Sequence, residues 1–304
     1  MNIIESCELG RRFGRTWALR DCTLAVPAGH VVALVGPNGA GKTTLLNLAV
    51  GLLRPTCGHM SVLAGELPGS PTARRSIGFV AQDAPLYGHL SVADMLLVAR
   101  NMNLTWDDGR ARTRLAELAI PPDRKVRNLS GGQKAQLALT IAVAKRPEVL
   151  ILDEPLATLD PLARHDFMSS LMVTVAEDGL SVVFSSHVVS ELERIADYLV
   201  VLNNGQLQIA GEVESLLAGH QILTGRGGEQ FLDSHQVSVV HALEAEAQTH
   251  VLVRMLASEG GVPGWQSQPA RLEDLVLSYL REPGARMLPG PTVAAPGDSP
   301  AVPA

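Results

Sequence analysis

The architecture of this chain follows from one nine-residue segment, Gly36-Pro37-Asn38-Gly39-Ala40-Gly41-Lys42-Thr43-Thr44. The apolar run before it, Val31 to Val35, predicts a short strand, and the segment after it, Leu45 to Val50, predicts a helix. A strand, a glycine-rich loop and a helix start are the context in which the pattern G-x-x-x-x-G-K-[ST] predicts a phosphate-binding loop. We call these nine residues the phosphate loop.

The chemistry of the phosphate loop suits a triphosphate. Its glycines leave backbone N–H groups uncovered, and the N-terminus of the following helix adds its positive end. Lys42 can reach the terminal phosphates, and the Thr43 hydroxyl is a ligand for Mg²⁺. An ordinary glycine turn is the alternative, and the completeness of the pattern argues against it. The sequence therefore predicts binding of a nucleoside triphosphate.

Composition narrows the class of protein. A chain of 304 residues with 46% hydrophobic residues can form one large or two modest domains. A net charge of −6 and 4% aromatic residues leave no electrostatic or stacking surface for nucleic acid, so we expect no nucleic-acid partner. Cys7, Cys22 and Cys57 lack CxxC spacing and predict buried thiols in a reducing compartment.

The sequence also predicts a protein that does not cross a membrane by itself. Apolar runs such as Leu137 to Ala144 are far shorter than the roughly 20 residues of a membrane span. Met1 to Glu5 lack the features of a signal peptide. We expect a cytoplasmic location, with any membrane role supplied by a partner.

Polar side chains follow two further predicted strands. Val149 to Leu152 is a continuous apolar run typical of a buried parallel strand, and it leads into Asp153 and Glu154. An Asp at this place can hold Mg²⁺, and the Glu beside it is a candidate general base. Ser181 to Ser185 predicts another buried strand, followed by His187. Because open α/β sheets bind ligands at the carboxyl ends of their strands, these side chains are candidates for one site.

Three more features are weaker on the residues alone. Gln82 follows the predicted strand Ile77 to Val80 and could contact Mg²⁺ or an attacking water. Phe13 could stack on a base, with Trp17 an equal candidate. The signature segment, Leu129-Ser130-Gly131-Gly132-Gln133, opens a predicted helix whose uncovered N–H groups form a second anion site, unless it is only a capped helix.

Together these segments resemble the nucleotide-binding subunit of an ATP-binding cassette (ABC) transporter over about residues 3 to 217. The resemblance implies an α/β fold, a P-loop NTPase core with an antiparallel β subdomain and a helical insertion at about 83–145. Gly36 to Thr44 match the Walker A motif, and Val149 to Asp153 match Walker B. Gln82 matches the Q-loop glutamine, and Leu129 to Gln133 match the LSGGQ signature. Leu156 to Asp160 match the D-loop, and His187 matches the switch histidine.

The resemblance also implies roles and partners. Phe13 stacks on adenine, Glu154 is the catalytic carboxylate, and Thr43, Gln82 and Asp153 hold Mg²⁺. Two cassettes meet head to tail, so that the signature of one contacts the ATP of the other. A second cassette is therefore expected, most simply in a homodimer, together with a separate multi-span permease. One departure is Gln136, which stands where the family commonly has Arg.

The C-terminal part carries fewer signals. We call residues 1–217 the cassette and 218–282 the extension, a small α+β unit, and we expect disorder at 283–304. Val237 to Val240 and Val251 to Arg254 could pair as strands, and Arg271 to Arg281 predicts an amphipathic helix. The pattern in that helix resembles cassettes that serve ABC-2 type permeases, which favours export.

The function expected from the sequence is ATP hydrolysis that energises a permease at the cytoplasmic face of a membrane, for export of a drug, antibiotic or lipid-like substrate. An ABC importer ATPase is one alternative. A soluble ABC ATPase acting on ribosomes or DNA is another, but such proteins usually carry two cassettes or a long coiled coil. The signature segment and His187 argue against a small-molecule kinase.

Overall fold

A computed structural model describes residues 1–83, 85–225, 237–244, 248–255 and 264–285, so most of the tail predicted to be disordered lies outside the described residues. The strands are β1 (Asn2–Phe13), β2 (Thr16–Pro27), β3 (Val31–Val35), β4 (Cys57–Val62), β5 (Ile77–Val80), β6 (Val149–Asp153), β7 (Ser181–Ser186), β8 (Tyr198–Asn203), β9 (Gln206–Glu212), β10 (His220–Gly225), β11 (Val237–Glu244), β12 (Thr249–Met255) and β13 (Trp265–Pro269). The helices are α1 (Lys42–Ala49), α2 (Pro71–Ser76), α3 (Val92–Met102), α4 (Asp108–Glu117), α5 (Gly131–Ala144), α6 (Pro161–Asp178), α7 (Val213–Ala218) and α8 (Leu272–Arg281).

A six-stranded sheet forms the centre of the cassette, in the order β5-β6-β7-β3-β8-β9. The pairs from β5 to β8 are parallel, and β9 joins β8 as an antiparallel hairpin. Every residue of β3, β6, β7 and β8 is buried, as expected for strands covered on both faces. The carboxyl ends of β3, β6 and β7 therefore meet at one edge, where the phosphate loop, Glu154 and His187 follow them.

A three-stranded antiparallel sheet, β2-β1-β4, covers one side of the phosphate-loop helix. The prediction of buried thiols in this region is wrong for two of the three cysteines. Cys22 is buried, whereas Cys7 and Cys57 are exposed. Cys7 lies on the solvent face of β1, and Cys57 starts β4, whose first three residues are exposed.

The helical insertion forms its own small core from α3, α4 and α5, in which Val92, Leu115 and Leu137 are buried together. Ser91 caps α3, since its hydroxyl accepts from the Asp94 N–H at 3.1 Å while the Asp94 carboxylate accepts from the Ser91 N–H. With the central sheet and the antiparallel sheet, this insertion confirms the predicted fold class.

The extension is a four-stranded antiparallel sheet, β11-β12-β10-β13, with α8 packed between it and the cassette. The predicted pairing of β11 with β12 is confirmed. One face of α8, including Leu275, Val276 and Tyr279, is buried in the same cluster as Leu150 and Phe167 of the cassette. The extension therefore shares a hydrophobic core with the cassette. The division at residue 217 stays a prediction.

A buried polar pair lies where the extension meets the cassette. His220 Nδ1 lies 2.6 Å from the Leu216 carbonyl oxygen, and its Nε2 lies 2.9 Å from the Tyr279 hydroxyl. Since a carbonyl can only accept, Nδ1 carries the proton and Nε2 accepts from Tyr279. Burial lowers the pKa of His220 below its ordinary value, so the imidazole is neutral.

Candidate nucleotide-binding site

The phosphate loop leaves β3 and enters α1 through Gly36 and Gly41, at both of which an added Cβ would lie too close to a backbone carbonyl oxygen. A Cβ on Gly36 would lie 2.2 Å from the Leu202 carbonyl oxygen, so the backbone passes too close to β8 for a side chain. Gly41, the N-cap of α1, has φ 105°, in the left-handed region that favours glycine. The loop therefore packs closely against β8 and leads directly into the N-terminus of α1.

An open cleft of about 420 Å³ borders the loop and gathers most of the residues predicted to bind ATP. It is lined by Phe13, Ala18, Asn38, Gly39, Ala40, Gly41, Lys42, Thr43, Thr44, Gln82 and Glu154. We call it the phosphate-loop cleft. Phe13 borders it, whereas Trp17 is not among its lining residues, which favours Phe13 as the base-stacking ring.

Lys42, Glu154 and His187 form a chain of contacts at this cleft. The Lys42 ammonium donates to the carbonyl oxygens of Gly36 at 2.7 Å and Pro37 at 3.2 Å, and it lies 3.0 Å from Glu154 Oε1. The other carboxylate oxygen, Oε2, lies 3.0 Å from His187 Nδ1. The side chains of Lys42 and Glu154 are only 4% and 9% exposed, so each charge offsets the cost of removing the other from water.

Ser185 positions the two adjacent acids, a role that no motif of the sequence indicates. Its hydroxyl donates to Asp153 Oδ1 at 2.8 Å and accepts from the Glu154 N–H at 2.8 Å. Glu154 has φ 45°, a strained conformation for a residue with a side chain. Asp153 and Ser185 are paired positions at the ends of neighbouring strands, and no local sequence pattern encodes that pairing.

The residues predicted to hold Mg²⁺ fit a hard cation by their donor chemistry. Thr43 and Gln82 line the phosphate-loop cleft, and the Asp153 carboxylate is buried directly before Glu154. One hydroxyl, one amide oxygen and one carboxylate are oxygen donors of the kind Mg²⁺ prefers, with phosphate oxygens and water to complete them. The described residues contain no group of three or more His, Cys, Asp or Glu side chains that could hold a metal.

Ser130, Gly132 and Gln133 of the signature segment line a different cleft, of about 220 Å³, which we call the signature cleft. Ser130 caps α5, since its hydroxyl accepts from the Gln133 N–H at 3.1 Å and Gln133 Oε1 accepts from the Ser130 N–H at 3.2 Å. Asp160, the predicted D-loop residue, caps α6 through the Ala163 N–H at 2.9 Å and lines the same cleft. The two clefts share no lining residue.

Comparison with known proteins identifies the family of this chain. The family model described as ABC transporter matches residues 19–157. The thiamine import ATP-binding protein ThiQ of Chelativorans sp. is 34% identical over 202 residues, which cover 64% of this chain and 82% of that protein. This chain belongs to the ABC transporter family. As expected from the motifs, it is similar to the ATP-binding subunits of that family.

Two further relatives define the extent of the similarity. The sulfate/thiosulfate import ATP-binding protein CysA of Synechococcus elongatus is 36% identical over 213 residues, or 68% of this chain, and this ABC chain spans 62% of its length. The solved structure of cbiO1 from Clostridium perfringens, part of the ABC transporter complex cbiONQ, superposes with a TM-score of 0.61 at 28% identity, covering 71% of this chain and 91% of cbiO1. Within the described residues, no helix has the length and apolarity needed to cross a membrane.

Proposed function

We propose that this chain binds and hydrolyses ATP as the ATP-binding subunit of an ABC transporter and thereby energises a separate membrane permease. The observation that carries the proposal is the position of Glu154, which contacts both Lys42 and His187 beside the phosphate loop. A carboxylate, an imidazole and an ammonium at a helix N-terminus are the groups that phosphoryl transfer to water requires.

The contacts of Lys42 define what ATP must change. The Lys42 ammonium contacts two carbonyl oxygens and the Glu154 carboxylate. Phosphate oxygens that enter the phosphate-loop cleft replace the carboxylate as the partner of Lys42. Glu154 then keeps its contact with His187 and becomes available to take a proton from the attacking water, while His187 lies near the terminal phosphate.

A second cassette completes the site in this proposal. The phosphate loop and the signature segment border separate clefts within one chain, and the two clefts share no lining residue. Two copies arranged head to tail place the signature segment of one over the ATP held by the other, which makes a symmetric homodimer the simplest assembly.

An exposed apolar groove supports the permease as partner. It lies between the cassette core and the helical insertion, has a volume of about 560 Å³ and is lined in part by Leu52, Met102 and Leu104, all of which are exposed. Arg74 and Lys145 border it. Contiguous exposed apolar residues with a polar rim are typical of protein interaction sites. The groove fits a cytoplasmic segment of a permease and would hold the chain at the cytoplasmic face of the membrane.

Import is the better supported direction of transport. ThiQ and CysA are both named as import proteins. Export rested on the apolar pattern of α8, and that pattern has a structural explanation, since Leu272, Leu275 and Val276 are buried against the cassette. We therefore propose import, with the substrate left to the permease.

Purification of the tagged chain from membranes tests this proposal. A multi-span protein should copurify with the wild type and be lost with Leu104→Glu in the groove, whereas Leu67→Glu, at an exposed position outside the residues that line it, should retain the partner. In vesicles of the purified complex, ATP added on the side of this chain should move substrate toward that side. Movement away from it would establish export. Turnover stimulated by ribosomes, with no membrane partner, would overturn the proposal.

A further inference from the structure

The β1–β2 hairpin carries two cation–aromatic pairs, and only one of them borders the phosphate-loop cleft. Arg11 Cζ lies 4.7 Å from the centroid of the Phe13 ring, and Arg12 Cζ lies 5.6 Å from that of Trp17. Arg11 thus contacts the ring two residues further along β1, while Arg12 contacts the ring of Trp17, its partner across the hairpin. Phe13 lines the cleft.

Arg11 is held in place more firmly than Arg12. Its Nη1 donates to the Arg54 carbonyl oxygen at 2.9 Å, which ties the hairpin to the segment that follows α1. Its Nε is buried and finds no hydrogen-bond partner among the described residues, so the guanidinium is oriented by the Phe13 ring and one backbone bond. Arg12, by contrast, is exposed. The Phe13 ring remains 48% exposed with the guanidinium over it, so surface is left for a base.

We propose that Arg11 is a positioning residue for nucleotide binding, acting through Phe13. Its guanidinium fixes the ring at the edge of the cleft and draws electron density from it. The electron-rich faces of two aromatic rings repel, so a cation near Phe13 strengthens stacking on the base of a nucleotide. This inference rests on the proposed function, because it assumes that a nucleotide occupies the phosphate-loop cleft.

Steady-state hydrolysis by Arg11→Met tests it, because Met keeps an apolar stem and removes the charge. The KM for ATP should rise about two- to fivefold, the size of a cation–π interaction at a partly exposed site, with kcat unchanged. Arg11→Lys, which restores a cation, should recover most of the loss. Arg12→Met is the matched control and should leave both constants unchanged.

Inorganic triphosphate, which has no base, separates stacking from a general effect on the phosphate loop. Its inhibition constant should be the same for wild type and Arg11→Met. Equal weakening of triphosphate and ATP would contradict the inference, because it would show that Arg11 acts through its bond to Arg54. Thermal unfolding of each variant establishes that the hairpin is folded.

A double-mutant cycle with Phe13→Leu gives the sharpest result. In the Phe13→Leu background, Arg11→Met should have no further effect on the KM for ATP, since the ring through which it acts is gone. Additive effects would overturn the inference. A wild type that binds no ATP would overturn the proposed function itself, whereas a wild type that binds ATP together with an unaltered Arg11→Met would overturn this inference alone.

Discussion

The phosphate-loop cleft and the signature cleft are built in opposite ways. The first contains two buried charges in contact, the Lys42 ammonium and the Glu154 carboxylate, and Glu154 also contacts the exposed His187 imidazole. The second has a capped helix N-terminus, and the charged side chains among its described lining residues are two acids, Asp160 and Asp166. One cleft therefore has a cation for phosphate, and the other has backbone donors beside negative charge.

This difference indicates an order of events. A cleft bordered by acids and by no described basic side chain cannot attract a highly charged triphosphate from solution, whatever its backbone donors contribute. The phosphate-loop cleft can, because Lys42 and the N-terminus of α1 both favour anions. In our account, ATP binds first at the phosphate loop, where its charge is largely neutralised. The signature segment of a second copy then closes over it.

Removal of the carboxylate from the charged cleft should have the largest effect. Glu154→Gln keeps the shape of the side chain but cannot accept a proton, so ATP hydrolysis should fall about 10²–10⁴-fold while ATP binding persists. Phosphate release and equilibrium binding of labelled ATP measure the two separately. Glu148→Gln, just before β6 and thus at its opposite end, is the control. Near-normal turnover by Glu154→Gln would remove Glu154 from its assigned role.

A further negative charge at the signature cleft should block hydrolysis without disturbing the fold. A Cβ on Gly131 would have its nearest neighbours at 3.8 and 3.9 Å, whereas one on Gly132 would lie 2.9 Å from the Ala163 Cβ. Gly131→Asp should therefore fold normally, bind ATP as the wild type does and lose at least about tenfold in turnover, since it places an acid where phosphate must approach.

Gly131→Ala is the control for size at this position and should keep most of the activity. Gly132→Ala should instead lower stability, by about 1 kcal/mol, because Ala163 must move. Weakened ATP binding by the isolated Gly131→Asp chain would contradict the claim that ATP binds first at the phosphate-loop cleft, without the signature segment of the same chain.

The strands and loops that carry the motifs could be predicted from the sequence, but the contacts between them could not. Continuous apolar runs identified β3, β6 and β7, and the polar residues after them marked the functional edge. That Lys42 reaches Glu154 depends on strand order, since β7 lies between β3 and β6. No local pattern encodes that order.

Other elements were missed because their residues give no periodic signal. The segment Trp265–Pro269 has four exposed residues of five, as an edge strand can, and so lacks the alternation that predicts a strand. The first three residues of β4 are also exposed, so that strand lacks a periodic signal as well. Arg11 could not be recognised either, because its position over Phe13 is a matter of side-chain packing.

The extension is a third region, to which we assign a structural role. Its contribution to the free energy of unfolding should change with pH, whereas ATP hydrolysis should not depend on it. The pKa of His220 is lowered by burial, so the unfolded chain takes up a proton at a higher pH than the folded chain does. Its contribution to stability is fully present above the ordinary value of 6.5 and decreases as the pH falls below it.

Acidification from pH 7.5 to 5.5 should therefore lower the Tm of the wild type more than that of His220→Gln. The difference in unfolding free energy should be at most about 1.4 kcal/mol, the cost of keeping one histidine neutral a unit below its pKa. His250→Gln, at an exposed position, is the control, and its Tm should fall on acidification by as much as that of the wild type. A change in ATP turnover with His220→Gln at pH 7.5 would show that the extension contributes to the site.

The most direct test of the central claim mixes two inactive variants. Lys42→Met disables the phosphate-loop cleft, and Gly131→Asp disables the signature cleft, so each chain alone should hydrolyse little ATP. If the clefts act in trans, half of the dimers in an equal mixture are mixed, and each of these has one intact site of two. Roughly a quarter of wild-type activity should then return. A mixture no more active than the separate variants would contradict the claim that each ATP is held between two copies of this chain.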